Sequence, residues 1–65
     1  MKIEVNGETK EVTAPTVADA LEALGWGDAR VATALNGSFV PKAARETTAL
    51  SDGDKLEVLT AMQGG

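Results

Sequence analysis

The 65-residue chain contains no cysteine, no histidine and no tyrosine, and only one tryptophan and one phenylalanine. The missing cysteine excludes disulfides and thiol nucleophiles. The missing histidine excludes an imidazole base, and together the two absences remove the usual zinc ligands. With Trp26 and Phe39 the only aromatics, a core must be assembled from Val, Ile, Leu and Ala. No apolar run approaches the length that crosses a bilayer. The alternating segment Lys2-Ile3-Glu4-Val5 directly after Met1 lacks the apolar stretch of a secretory signal, so a cytoplasmic location and no membrane partner are expected. Basic residues are outnumbered 6 to 10, a net charge of −4, which argues against a nucleic-acid partner.

A chain this short forms one domain and buries only about 60% of the surface it exposes when unfolded. Walls for a substrate pocket would have to come out of that small core. The expectation is a protein that is not itself an enzyme and binds no cofactor of its own.

What is present is a clear alternation of patterns. Ile3 and Val5 alternate with Lys2 and Glu4, predicting a strand with one buried face. Asn6-Gly7 follows, a pair that accepts the positive φ angles of a type I′ hairpin, so Glu8 to about Thr13 should return as an edge strand guarded by its charges. Thr16 is placed to cap a helix, with Asp19 in its first turn. Val17, Ala20, Leu21 and Leu24 then form one stripe, Asp19, Glu22 and Ala23 face away, and Gly25 closes the helix. Trp26 is read as a plug over one end of the core. Residues 31–35 read as a strand ending at a second Asn-Gly pair, Asn36-Gly37. Ser38-Phe39-Val40 is a brief edge strand stopped by Pro41, and residues 42–50 read as irregular. Ser51-Asp52-Gly53-Asp54 is a turn, and residues 55–62 form the last and most apolar strand, placed centrally in the sheet. The class is α+β, one sheet of four to five strands on one helix; the sheet is mixed if the last strand inserts beside the first, a pairing that periodicity does not show.

The character of the chain changes at its end. A body of residues 1–62 gives way to a tail, Gln63-Gly64-Gly65, expected to leave the fold. From Val58 onward no side chain is charged, so the carboxylate of Gly65 stands alone as the candidate reactive group. Four extended residues from Met62 reach at most about 14 Å, enough to deliver it into a partner's active site. Glycine at both final positions lets the backbone thread a narrow channel and leaves the terminal carbonyl carbon open to attack. A carboxylate is a poor electrophile, so it must be activated. Adenylation with ATP and magnesium on a partner enzyme, then displacement of AMP by sulfide, would leave a thiocarboxylate that donates sulfur without any cysteine in the carrier.

Several pieces, in order and at fixed spacing, carry a resemblance: Met1-Lys2-Ile3-Glu4-Val5-Asn6-Gly7-Glu8, Thr16-Val17-Ala18-Asp19-Ala20-Leu21, Val31-Ala32, Leu35-Asn36-Gly37 and Val40-Pro41. Leu50, Asp52-Gly53-Asp54, Leu56-Glu57-Val58 and Gly64-Gly65 complete the set. Across nearly the whole chain the sequence resembles the ThiS and MoaD group of ubiquitin-like sulfur carriers, and its length suits the ThiS family. That resemblance implies a β-grasp fold, adenylation and thiocarboxylation at Gly65, and Gly64 as its sterically required neighbour, with Gln63 part of the tail that enters partner sites. It implies three partners: an adenylyltransferase resembling ubiquitin-activating enzymes, a cysteine desulfurase or rhodanese-like sulfur donor, and thiazole synthase of thiamin biosynthesis as recipient. It also implies that the sheet face next to the tail docks on them. A carrier that docks on successive enzymes is expected to be monomeric. Carriers of this group also serve molybdopterin, amino-acid and natural-product pathways, and a protein modifier joined through Gly65 would share the first chemical step. Lys10 and the Gly25-Trp26-Gly27 connection depart from the group's pattern.

The remaining features have blander readings. Asp52, Asp54 and Glu57 lack the spacing of a calcium loop and read as turn formers and a solvated strand edge. Lys42 and Arg45, which could meet a nucleotide or an acidic partner, read as solvated loop cations. Trp26 reads as core or rim packing ahead of a docking anchor.

Overall fold

The computed structural model describes residues 1–27 and 30–60. Strands β1 (Lys2–Val5) and β2 (Glu8–Glu11) form the first hairpin, α1 (Val17–Ala23) crosses the sheet, β3 (Val31–Leu35) and β4 (Ser38–Val40) form the second hairpin, and β5 (Lys55–Thr60) completes the sheet. The order across it is β2-β1-β5-β3-β4. β5 lies parallel to β1 and antiparallel to β3, so the last strand is central, as its apolar content predicts, and its place beside the first strand, which the sequence pattern does not determine, is set by the register. Both edges are short strands, which limits the unpaired backbone they present.

Each hairpin turns on Asn-Gly with both residues at positive φ: 51° and 86° at Asn6-Gly7, 51° and 87° at Asn36-Gly37. These are the left-handed values that a two-residue type I′ turn demands. β2 ends at Glu11, earlier than the alternation suggested, and all four of its residues are exposed. Val12, just beyond it, is buried, and its N–H still donates to the Met1 carbonyl at 2.8 Å.

α1 begins as its sequence dictates. Thr16 Oγ1 accepts from the Asp19 N–H at 3.2 Å and donates to Asp19 Oδ2 at 2.9 Å, relieving one of the orphan donors of the first turn. Two others, the N–H groups of Val17 and Ala18, donate to the carbonyls of Thr48 and Arg45 at 3.0 Å each. Residues 42–50 are therefore less irregular than their composition implied. Lys42–Ala44 form a 3-10 turn, Ala49 makes a bridge to Thr16, and Leu50 is buried. Their pairing is to a helix end, which no periodicity along the chain records.

At the other end of α1, Gly25 N–H donates to Glu22 O at 3.2 Å and Trp26 N–H donates to Leu21 O at 2.8 Å, with Gly25 at φ +96°. That is a Schellman closure, in which the residue after the glycine characteristically packs back on the helix. Trp26 is accordingly half-buried against the core, which accounts for a bulky residue between two glycines.

The core fills the space between α1 and the inner sheet face: Ile3, Val5, Leu56 and Val58 from the central strands meet Val17, Ala20 and Leu21, with Leu24 half-buried at the helix end. Its one buried polar side chain among the described residues, Thr33, is satisfied. Its Oγ1 donates to Val40 O at 2.8 Å and accepts from Arg45 Nε at 3.2 Å. No helix of the described residues is long and apolar enough to cross a membrane.

Candidate functional site

The expected reactive end, Gln63, Gly64 and Gly65, lies outside the described residues, as do Ala61 and Met62 of the anticipated last strand and the boundary between body and tail. What the structure does describe is the platform from which that end departs. Thr60, the last described residue, closes β5 opposite Val31 of β3.

β5 is held at its start and at its middle by the two hairpin asparagines. At its start, Asn36 Oδ1 accepts from the Lys55 N–H at 2.9 Å and the Asn36 N–H donates to Lys55 O at 2.7 Å. Further along, Asn6 N–H donates to Leu56 O at 3.1 Å. The Asn6 side chain then reaches past the end of β1, with Nδ2 donating to Val58 O at 3.0 Å and Oδ1 accepting from Val58 N–H at 2.8 Å. Sequence reasoning assigned these asparagines to turns only. Their amides have a second use that the Asn-Gly signal cannot reveal, because a partner more than fifty positions away in the case of Asn6 leaves no local trace.

Alternation fixes which face of the sheet is which. Leu56 and Val58 point to the helix and are buried, so Glu57 and Leu59 point outward; Val40 points in, so Phe39 points out. Leu59 and Phe39 are each 70% exposed. The register sets Leu59 opposite Ala32, and Ala34 between Glu57 and Phe39. Two large apolar side chains thus flank two alanines on the outer face, a low saddle bordered by Glu57 on the side away from the tail, with Leu59 on the side nearer it. Nothing in the local sequence singles out Phe39, and Leu59 is submerged in an apolar strand. The signal that locates them is their phase, out of step with the buried neighbours on either side.

The acidic cluster is spent on turns. Asp52 Oδ1 accepts from the Lys2 N–H at 2.7 Å, and Asp54 accepts from the Ser51 N–H at 2.7 Å and from Asn36 Nδ2 at 3.0 Å. Arg45 corrects the sequence reading. Besides Thr33, its guanidinium donates to Val31 O through Nη2, so it is a half-buried clasp between the 42–50 segment and β3 and not a solvated cation. Lys42 is exposed.

A five-stranded mixed sheet closed over one helix, with the final strand at its centre and an apolar saddle on the open face, is a β-grasp domain of the ubiquitin-like class. The ThiS family model matches residues 3–65, and the chain belongs to the ThiS family. A crystal structure of the thiamine biosynthesis protein ThiS from Geobacter metallireducens superposes with a TM-score of 0.84 at 35% identity, each chain covered in full. A solution structure of a thiamine biosynthesis protein from the same organism gives 0.78 at 35% identity, covering 100% of this chain and 88% of that one. Among curated sequences, a thiazole synthase of Paramagnetospirillum magneticum is 38% identical over 66 residues. The match takes in 100% of this chain but 20% of that longer protein. The uncharacterized protein ycf40 of Pyropia yezoensis is 36% identical over 100% of this chain and 93% of its own length.

Proposed function

We propose that the protein is a sulfur carrier of thiamin biosynthesis, acting in the cytoplasm as a protein co-substrate, with the Gly65 carboxylate as its working group. The observation that carries this reading is the β5 platform: a central strand pinned along its length, with an exposed apolar saddle beside its exit, leading toward a stretch with no charged side chain and a Gly-Gly end. ThiS family membership and the presence of a matching segment inside a chain named thiazole synthase support the pathway.

In this reading a Gly65 carboxylate oxygen attacks the α-phosphorus of ATP on an adenylyltransferase, with magnesium on the nucleotide, and pyrophosphate leaves. The terminal sulfur of a persulfide on a cysteine desulfurase or rhodanese-like donor then attacks the carbonyl carbon and AMP leaves, giving an acyl disulfide; a thiol reductant cleaves its S–S bond, taking the donor cysteine into a new disulfide and releasing the thiocarboxylate that thiazole synthase consumes. The saddle of Phe39, Ala34, Ala32 and Leu59 is the docking face for the adenylyltransferase. Its occupant is an apolar projection flanked by cations, matching the two alanines and the Glu57 border, since charge complementarity aligns such a contact and apolar anchors hold it. Six extended residues beyond Leu59 reach at most about 20 Å, so a docked body can deliver Gly65 to a recessed site.

Pyrophosphate release with ATP, magnesium and the adenylyltransferase tests the assignment. Wild-type protein should support it, and deletion of Gly65 should abolish it while the circular dichroism spectrum stays unchanged. Activity retained by the deletion would overturn Gly65 as the acyl group.

A further inference from the structure

Resting on that reading, we propose that Asn6 is a positioning residue for the tail, holding β5 at Val58 so that the chain leaves the sheet in one fixed direction. A type I′ turn asks of its first residue only a positive φ, which glycine satisfies at least as well as asparagine. Asn6 does more. Parallel pairing of β1 with β5 covers Glu4 with Lys55 and Val5 with Leu56, and there the backbone of β1 turns away. The Asn6 amide takes the next position on the ladder, satisfying both the N–H and the C=O of Val58 at 2.8 and 3.0 Å in a half-buried setting. Only Leu59 and Thr60 follow within β5, and their register is with β3. Val58 is therefore the last point at which β5 is held from the β1 side among the described residues.

The direction of exit matters because the reacting carboxylate lies seven residues beyond this anchor. Docking through the outer-face saddle fixes the body on its partner; the bearing of β5 at Val58 then decides how often Gly65 meets the nucleotide in a reactive orientation. Loosening that bearing lowers the effective concentration of the carboxylate without touching the docking contacts. The signature of such a role is a fall in kcat with KM preserved. The Asn36 amide provides an internal control: it sits on an equivalent turn and also clasps β5, but at Lys55, before the strand has crossed the sheet.

The test uses full-length Asn6→Gly, which keeps the turn and removes the amide, beside Asn6→Asp, which keeps the acceptor for Val58 N–H and sets a carboxylate against Val58 O. Asn36→Gly is the control. Activation is followed as pyrophosphate release against carrier concentration, well below each melting temperature, with hydrogen exchange at the Val58 amide as a second readout. Asn6→Gly should lose protection at Val58 and show kcat down about ten-fold with KM within about two-fold, Asn6→Asp should fall between it and wild type, and Asn36→Gly should keep its kcat. A folded Asn6→Gly with wild-type kcat overturns the proposal, as does an equal loss in Asn36→Gly, and so does failure of both Asn6 variants to fold, which would make Asn6 a stability residue. Failure of the wild-type protein to be activated overturns the carrier reading itself and is distinguishable at once.

Discussion

At the scale of single residues, the structure separates side chains that hold the fold from side chains free to meet a partner. Phe39 and Leu59 belong to the second group: each exposes 70% of its surface on the open sheet face, so each contributes little to the core. Replacing Leu59 or Phe39 with Ser should leave unfolding free energy within about 0.5 kcal/mol of wild type, while weakening binding to the adenylyltransferase by about 1 to 2 kcal/mol, roughly five- to thirty-fold in Kd. Titration calorimetry alongside urea melts checks both halves. Destabilisation by more than about 2 kcal/mol would place these residues in the core, and unchanged affinity would move the docking face elsewhere. Arg45 has the opposite profile, because its guanidinium serves Thr33 and the Val31 carbonyl and its removal leaves buried acceptors short of a donor.

At the scale of elements, α1 is seven residues long, too short to persist on its own, and depends on its cap and its packing. Thr16→Ala should therefore cost about 1 kcal/mol, read as a lower urea midpoint with an unchanged m-value. No change would mean that the carbonyls of Arg45 and Thr48 already satisfy the first turn without the threonine. The elements legible in the sequence were those whose signals are local: both Asn-Gly hairpins, the Thr16 cap, the Gly25 stop, and the alternation that put Leu56 and Val58 inside. Residues 42–50 were not legible, since what orders them is the start of a helix some thirty positions away, reached through main-chain bonds that any side chain permits. The same limit hid the Asn6 amide. β2 came out shorter than its pattern for a related reason: Val12 is apolar because it is buried past the end of the strand, not within it.

At the scale of the whole molecule, a core this small is compatible with a carrier and its chemistry lodged in other proteins. The saddle and the β5 platform could be placed only once register was known, because Ala32, Ala34, Phe39 and Leu59 are scattered along three strands and carry no motif. The tail was the reverse case, plain in the sequence as Gly64-Gly65 and carried by resemblance to a family whose membership the whole chain bears out.

Whether Gly65 carries the sulfur is read most directly from its chemical state after incubation with the adenylyltransferase, ATP, magnesium and a sulfur source. Intact mass should show one oxygen replaced by sulfur. Because oxidation of Met1 or Met62 adds nearly the same mass, the product must also take up an alkylating reagent at the C-terminus, located by fragmentation. One alkyl group on Gly65 is the predicted result. A mass gain that resists alkylation, or covalent conjugates to other proteins that survive reduction, would contradict it.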